Sequence, residues 1–308
     1  MRYSKTRQTI FIFLAIITTI SPLGCAKRSL DDDEPCDLYP VYVDQYPAWS
    51  PDGSTIAYLA GKEDTTGIYF INPDGTNKRL FLSGLCYYPD WSPDGEWIVF
   101  SNGAQIWKIK VTGDSLTQLT FEGRNFYPDW SPDGKKIAYD SNFRNPWGAN
   151  VIWVMDSDGN NKKDISQHGV GEWRIPDWSP DGAKIVHQRY VETPNGTPEI
   201  VVMDKNGNNF IRLTNNLSLD SYPVYSPDGK KIAFSSSPGY RADIPPDIPQ
   251  IWIMNSDGSG LKKLTEEGGD MPCWSPDGQR IAYVNCNQLN GRIWIMNSDG
   301  SEKHQITF

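Results

Sequence analysis

The sequence predicts an all-β fold, a six-bladed β-propeller of four-stranded antiparallel blades, and two observations carry this prediction. The first is a recurring Trp-Ser-Pro-Asp-Gly motif, in which Tyr replaces Trp once. Its copies begin at Trp49, Trp91, Trp130, Trp178, Tyr225 and Trp274. The spacing of 39 to 49 residues is typical of propellers and solenoids. The second observation is that every copy lies in the same succession of short β-prone runs and turns.

The motif itself has the composition of a tight corner between two strands. Ser closes an Asx-like turn, Pro presets φ for the first central position of a type I turn, and Gly accepts the left-handed conformation. A β-prone run such as Ile56-Ala57-Tyr58 or Ile137-Ala138-Tyr139 follows each copy. Each copy therefore predicts the turn between the first and second strands of a blade.

A third run, a second turn and a short fourth run complete each unit. In the fifth unit these are Ile251 to Met254, Asn255-Ser256-Asp257-Gly258 and Lys263 to Thr265. Four antiparallel strands repeated six times predict a propeller over residues 41–308 in which each sheet buries both faces. No strand is left over to close the ring, and no second domain fits.

Residues 1–24 have the pattern of a lipoprotein-type signal peptide. Arg2, Lys5 and Arg7 precede an apolar run, residues 10–20, that is too short to span a bilayer. The segment ends at Leu23-Gly24-Cys25-Ala26, which resembles the lipobox of bacterial lipoproteins and makes Cys25 the predicted lipidation site. Ordinary secretion and an uncleaved anchor are the alternatives.

Residues 25–40 form a predicted acidic tether with Asp31-Asp32-Asp33-Glu34 at its centre. Such a run is typical of a solvated, self-repelling linker, and surface export is a second interpretation. The formal net charge is −9, and the basic residues lie partly in the signal peptide, so the mature chain is more acidic still. We therefore expect no nucleic-acid partner.

The four remaining cysteines are Cys36, Cys86, Cys273 and Cys286, an even number that suits an oxidising compartment. The predicted topology brings all four towards one face, here called the top, where the loops between second and third strands and the links between blades lie. A bridge from Cys36 to the last blade would close the ring covalently. A local bridge between Cys273 and Cys286, or free buried thiols, are the alternatives.

The top loops differ in length and sequence from blade to blade, whereas the turns on the opposite face are short and nearly identical. Variable loops on a regular scaffold are where binding is expected. The aromatic and guanidinium groups offered there are of the types favoured at recognition hot spots. They are Phe143, Arg144, Trp147, Tyr190, Tyr240 and Arg241. Local packing within the loops is the alternative role for each.

A second set of candidates directly precedes each motif aromatic, at Ala48, Asp90, Asp129, Asp177, Val224 and Cys273. The first strand of a propeller blade is innermost, so these positions form a ring near the channel. Asp90, Asp129 and Asp177 are channel-rim candidates that could hold a cation or a basic group of a partner. Hydrogen bonds to backbone or hydroxyl groups are the alternative role.

Linear catalytic signatures are absent. The three histidines lie in unrelated units, and there is no zinc-type His/Cys spacing, no Gly-x-Ser-x-Gly elbow and no glycine-rich phosphate loop. His187 stands where the other blades have Tyr or Phe, which indicates a core position. We predict no catalytic residues, no metal site and no cofactor, although carboxylate pairs on propeller loops can catalyse reactions without a motif.

The six motif units, with strands such as Ile281-Ala282-Tyr283 and Ile293-Trp294-Ile295-Met296, resemble the WD40-like PD40 repeats of the TolB propeller family. The resemblance runs from about residue 46 to the end. Similar repeats occur in TolB, a periplasmic protein of the Tol-Pal system, in propellers of prolyl oligopeptidase-like hydrolases and in some polysaccharide lyases. The chain shows neither the α/β domain of TolB nor a hydrolase domain.

These observations predict a monomeric, non-enzymatic, lipid-anchored propeller in the bacterial cell envelope, on the periplasmic face of the outer membrane or on the cell surface. It would bind an envelope protein or peptide, or a glycan, through its top-face loops and channel mouth. The alternative is a glycan-active or lyase-type enzyme that uses top-rim carboxylates and a divalent metal. A structural spacer without a specific ligand is a third interpretation.

Overall fold

The computed structural model describes residues 44–61, 66–145, 148–166, 172–190, 197–238, 248–286 and 291–308. These residues form 24 β-strands arranged as six four-stranded sheets, which confirms the predicted six-bladed propeller. The described part of the chain contains no helix long and apolar enough to cross a membrane. The predicted signal peptide and the predicted tether lie outside the described residues.

The blades consist of consecutive strands. Blades 1 to 3 contain β1 (Gln45–Trp49), β2 (Ile56–Ala60), β3 (Gly67–Ile71), β4 (Arg79–Ser83), β5 (Tyr87–Trp91), β6 (Trp97–Asn102), β7 (Gln105–Lys110), β8 (Thr117–Gln118), β9 (Asn125–Trp130), β10 (Lys136–Ser141), β11 (Val151–Asp156) and β12 (Lys163–Asp164). Blades 4 to 6 contain β13 (Trp173–Trp178), β14 (Lys184–Tyr190), β15 (Pro198–Asp204), β16 (Ile211–Arg212), β17 (Leu219–Tyr225), β18 (Lys231–Ser237), β19 (Gln250–Asn255), β20 (Lys262–Lys263), β21 (Asp270–Trp274), β22 (Arg280–Asn285), β23 (Arg292–Asn297) and β24 (His304–Gln305).

Every blade is an antiparallel meander in which each strand pairs with the next one in the sequence. The first strands of successive blades are neighbours around the ring, and β21 also contacts β1. The central residues of every second strand are buried, and in β2 the whole strand is, because both faces of each sheet pack against another blade. The core is therefore a series of clusters between blades rather than one central cluster.

The Ser-Pro-Asp-Gly motif forms the corner between the first and second strands, as predicted. In blade 1 the Ser50 hydroxyl donates to Asp52 Oδ1 at 2.6 Å, which lowers the pKa of this carboxyl, and it accepts from the Thr55 backbone N–H at 3.0 Å. Gly53 adopts φ of 71°, in the left-handed region. Hydrogen bonds within the corner therefore fix its conformation without help from the neighbouring blades.

The corners also pack against one another around the ring. The Gly of each corner faces the Pro of the preceding blade, so closely that an added Cβ would lie 3.3 to 3.9 Å from the Pro ring. The pairs are Gly95 with Pro51, Gly134 with Pro93, Gly182 with Pro132, Gly229 with Pro180, Gly278 with Pro227 and Gly53 with Pro276. The last pair joins blade 6 to blade 1 and completes the ring.

The seam between blades 6 and 1 closes without a shared strand, as the sequence predicts. The Asp44 backbone N–H donates to the Gly291 carbonyl at 3.1 Å, and Arg292 Nη1 lies 3.6 Å from Asp44 Oδ2. A hydrophobic cluster that includes Tyr58 of blade 1 and Ile295 of blade 6 fills the interface. Side-chain packing and several polar contacts, among them these two, therefore hold together the first and last blades.

The second turn of each blade offers a matched test of packing between blades. Gly113 and Gly159 both have φ of 88°, but a Cβ on Gly113 would meet nothing within 4 Å, whereas a Cβ on Gly159 would lie 3.2 Å from Leu119 of the preceding blade. We expect Gly113→Ala to lower the free energy of unfolding by about 1 kcal/mol, the cost of a left-handed alanine. Gly159→Ala adds steric overlap and should cost about 2–3 kcal/mol. Equal losses in urea denaturation would show that this turn does not contribute to the junction.

Candidate functional site

The inner surface of the channel is shaped by a repeated Xaa-Pro pair in every first strand. The residue before the proline has a φ of 51° to 56° in each blade, in the left-handed region that non-glycine residues seldom adopt. These residues are Tyr46, Tyr88, Tyr127, Ile175, Tyr222 and Met271. The pairing between first and second strands shifts register at each of these positions, which marks a β-bulge.

Four of the six side chains are tyrosines, and they contact one another across the channel. The ring centroids of Tyr46 and Tyr88 lie 4.4 Å apart, and those of Tyr88 and Tyr127 lie 3.8 Å apart. Tyr127 and Tyr222 approach to 6.1 Å, with 3.5 Å between their hydroxyl oxygens. We call this set the tyrosine ring. Burial raises the pKa of every one of these phenols, so all four are neutral.

The six positions singled out before the motif aromatics line one central cavity of about 310 Å³, together with the prolines that follow the tyrosine ring. Three of these positions carry the carboxyls of Asp90, Asp129 and Asp177. The other three are Ala48, Val224 and Cys273. We call the three acids the carboxyl arc, because they belong to successive blades.

Each carboxyl of the arc is hydrogen-bonded to the backbone of the next blade. Asp90 Oδ2 accepts from the Trp130 N–H at 2.9 Å. Asp129 Oδ2 accepts from Trp178, and Asp177 Oδ2 from Tyr225, both at 2.8 Å. These three side chains therefore act as acceptors of backbone hydrogen bonds, which is the alternative role considered for them from the sequence.

The carboxyl arc has unusual proton affinity. Burial raises the pKa of Asp90 to about 7 and that of Asp177 to about 8, in spite of the backbone hydrogen bonds. For Asp129, burial and then the charges of Asp177 and Asp90 raise the pKa well above its usual value. Perturbed carboxyls of this kind concentrate at functional sites and at structural networks alike.

The carboxyl arc lies on the turn side of the tyrosine ring. Asp90 is two residues nearer to the Ser-Pro-Asp-Gly corner than Tyr88, and the cavity also includes Trp49, Trp274 and Pro227 at the corner end of their strands. The tyrosine ring stands between these acids and the top loops. The channel acids and the top loops therefore lie on opposite sides of the tyrosine ring.

The described loop candidates are Phe143, Arg144 and Tyr190. Phe143 packs against Trp153 with ring centroids 5.6 Å apart, and the exposed Arg144 guanidinium lies 4.8 Å from the Phe143 ring. These contacts lie within one blade, and local packing of this kind is the alternative role considered for the loop residues. The candidates Trp147, Tyr240 and Arg241 lie outside the described residues.

Tyr190 belongs to a polar cluster at the top rim of blade 4 that the sequence analysis did not find. Arg174 forms an ion pair with Glu172, and the Tyr190 backbone N–H donates to the Glu172 carbonyl at 2.8 Å. Asp140 lies behind Arg174 and is fully buried, and burial raises its pKa to about 8. Arg174 and Glu172 keep about 30% of their side-chain surface, 28% and 30%, so the pair is open to a partner.

The cysteines occupy separate places. Cys86 is buried in the core between blades 1 and 2 and Cys273 lines the cavity, and neither is bridged to another described cysteine. The local Cys273 to Cys286 bridge is therefore not formed. Cys286 lies in the core of the seam. Cys25 and Cys36 lie outside the described residues, so lipidation and covalent closure stay predictions.

Among the described residues, no group of three or more His, Cys, Asp or Glu side chains has the geometry to hold a metal ion. His187 is fully buried and stacked on Trp173 with centroids 5.1 Å apart, and burial lowers its pKa to about 4. It is the core residue that its position in the repeat indicates.

The tyrosine ring was missed at the sequence level, although a signal for it exists. Each motif aromatic is preceded, at a fixed offset, by an Xaa-Pro pair, and Xaa is Tyr in four of the six blades. A proline inside an inner strand removes a ladder donor and indicates a bulge. The repeated proline predicts an irregular inner strand. The tyrosine that precedes it in four blades predicts that the bulges present aromatic rings to the channel.

Comparisons with solved structures agree with this architecture. A structure assigned as a TolB from Agrobacterium tumefaciens superposes with a TM-score of 0.66 at 25% identity, covering 83% of this chain and 90% of that one. TolB from Acinetobacter baumannii gives 0.65 at 23% identity, over 87% of this chain and 64% of that one. An oligogalacturonate lyase from Vibrio parahaemolyticus gives 0.55 at 12% identity, over 85% and 91%, which shows the fold alone.

Sequence comparisons point to the same family. The Tol-Pal system protein TolB of Anaeromyxobacter dehalogenans is 46% identical over 44 residues, which is 14% of this chain and 8% of that protein. An uncharacterized protein of Agrobacterium fabrum is 35% identical over 79 residues, which is 24% of this chain and 27% of that protein. These alignments thus span less than a third of either relative. The model of the TolB beta propeller domain, PD40, matches residues 41–188 and 125–308, and this chain therefore belongs to the TolB β-propeller family.

Proposed function

We propose that this chain is a non-enzymatic, lipid-anchored propeller of the bacterial cell envelope that binds a protein or peptide partner through its top face. The observation that carries the proposal is the contrast between the two faces. Six nearly identical corners form the turn face, while the top face holds the irregular loops and the polar cluster of blade 4. A family scaffold with one variable face is an arrangement suited to recognition.

The top rim of blade 4 has the chemistry of a recognition hot spot. Arg174 is held by Glu172 and backed by the buried Asp140, so its guanidinium is fixed before a partner arrives. Tyr190 stands beside it with a partly buried phenol. Rigid Arg and Tyr side chains lose little conformational entropy on binding, which is why they dominate binding energy at interfaces. An envelope glycan would use the same groups.

The envelope assignment rests on the sequence and on the relatives. The lipobox-like ending at Cys25 supports anchoring by diacylation, which supplies enough acyl chains for stable attachment. The relative from Anaeromyxobacter dehalogenans is named a Tol-Pal system protein, which supports the envelope as the working place.

The binding face can be tested with two double variants of the full-length tagged chain. Arg174→Ala with Tyr190→Ala removes the two top-rim groups of blade 4 on which the proposal rests, and Lys135→Ala with Lys230→Ala removes side chains on the turn face that are 79% and 80% exposed. After cross-linking in envelopes, quantitative mass spectrometry should recover one protein with the parent and the turn-face variant. We expect the top-face variant to recover about tenfold less, the effect of losing one hot-spot residue.

Loss of the partner in the turn-face variant, with full recovery in the top-face variant, would place the binding surface on the opposite face. If all three proteins recover no common partner, a glycan array with the same variants replaces the protein search. Thermal melting of each variant confirms that the propeller is intact.

The anchor can be tested at Cys25 by metabolic labelling with an alkyne-bearing fatty acid. The parent chain should be labelled and sediment with membranes, whereas Cys25→Ser should be unlabelled and soluble after lysis, because no acyl chain remains to partition into the bilayer. Cys86→Ser serves as the matched control, since its thiol is buried in a blade junction. A labelled Cys25→Ser variant would contradict the lipidation site.

A further inference from the structure

The six junctions between blades are of two kinds, three with a carboxyl of the arc at the inner edge and three without one. At the junctions of blades 2 and 3, 3 and 4, and 4 and 5, an Asp carboxyl accepts the N–H of the next motif aromatic at 2.8 to 2.9 Å. The equivalent positions at the other three junctions are Val224 and Ala48, whose side chains have no acceptor, and Cys273, whose uncharged thiol accepts the Trp49 N–H. Half of the ring is thus held by carboxyls at its inner edge, and the other half is not.

The arc has no counter-ion in the cavity. From the other first strands Ala48, Val224 and the Cys273 thiol face it, and burial raises the pKa of that thiol to about 12, so it is neutral. The remaining titratable groups are the phenol of Tyr225, which feels the charges of Asp177 and Asp181, and the four neutral phenols of the tyrosine ring. Among the described residues that line the cavity there is no Lys, Arg or His.

The arc therefore has different electrostatic energies when its three carboxyls are neutral and when they are ionised. A neutral carboxyl still accepts the backbone N–H through its carbonyl oxygen and places no charge in the cavity. Three ionised carboxylates on adjacent strands would repel one another across the partly exposed cavity, which has no Lys, Arg or His among its described lining residues to offset the charge. The same hydrogen bonds are compatible with both states, but only the neutral state avoids this repulsion.

We propose that the carboxyl arc is a proton-dependent lock of the propeller: its protonated carboxyls hold blades 2 to 5 together around an uncharged channel, and their ionisation loosens these three junctions. The lock works on the turn side of the tyrosine ring, away from the top-face loops. It is a device of the scaffold itself and does not depend on the proposed binding function.

The sign of the effect follows from proton linkage. In the unfolded chain the three carboxyls release their protons near about pH 4. In the folded chain their pKa values are raised, to about 7 for Asp90 and about 8 for Asp177. Between these limits the folded state binds more protons than the unfolded state. The stabilisation is therefore complete at low pH and is lost as the pH rises through the folded-state pKa values.

The first test compares the parent with the triple variant Asp90→Asn, Asp129→Asn and Asp177→Asn. Asn keeps an acceptor oxygen for each N–H but cannot ionise. We expect the parent Tm to fall between about pH 5.5 and about pH 8.5, and the triple Asn variant to lose less than half as much over that range. An equally steep fall in the triple Asn variant would overturn the proposal.

A matched control separates the arc from buried acids in general. Asp270 lies on the first strand of blade 6, outside the arc, and burial raises its pKa as well. Asp270→Asn should leave most of the pH dependence of the parent in place. If it flattens the curve as much as the triple variant does, the effect belongs to no particular set of acids and the proposal fails.

A second measurement locates the loosening. Hydrogen exchange of the Trp130, Trp178 and Tyr225 amides, corrected for the intrinsic pH dependence, should become faster at about pH 8.5 in the parent and not in the triple Asn variant. The Trp91 and Trp274 amides, at junctions without a carboxyl, should not change. In the triple Ala variant, which removes the acceptors, the first three amides should exchange fast at both pH values. Uniform acceleration at all five amides would contradict a lock confined to the arc.

Discussion

The structure depends on the fit of each Ser-Pro-Asp-Gly corner against the corner before it. A four-stranded sheet with two apolar faces is stable only when both faces are covered, so every blade needs a neighbour on each side. The corner supplies the register of that contact: its own hydrogen bonds set the turn, and its glycine receives the proline of the preceding blade. Because Gly53 receives Pro276, six repeats of one local rule close into a ring without a shared strand. The placement of all inner strands, and of the side chains they present to the channel, follows from this.

The fold could be predicted because a local sequence motif marks every blade. The site was harder to predict because no such motif marks its residues. The corner repeats at nearly constant spacing, and its Ser, Pro and Gly have defined conformational roles, so strand order and the inner position of the first strands could be predicted. The side of the channel on which Asp90 lies required the left-handed bulge at Tyr88, a conformation that the residue before a proline rarely adopts. The cluster of Arg174, Glu172 and Asp140 joins residues from two blades, and no periodic pattern marks it.

The two faces of the propeller differ in how strongly ring closure constrains their sequence. The turn face repeats one motif and serves closure, which explains why its many aspartates are occupied with their own Ser hydroxyl and backbone groups. The top face is free of that constraint, because every second strand runs away from its corner towards the opposite face. Members of a propeller family can therefore differ in binding partner while they keep the same ring. Family membership accordingly establishes the scaffold and leaves the binding partner open to proposal.

The tyrosine ring has a consequence for what the molecule can transmit. Rings packed at centroid distances of 3.8 to 6.1 Å join the inner strands of blades 1, 2, 3 and 5 by direct side-chain contact. A displacement of one of these strands would therefore be passed to the others through the aromatic rings. The strained, left-handed residues that carry the tyrosines are the points at which such a displacement would be felt first.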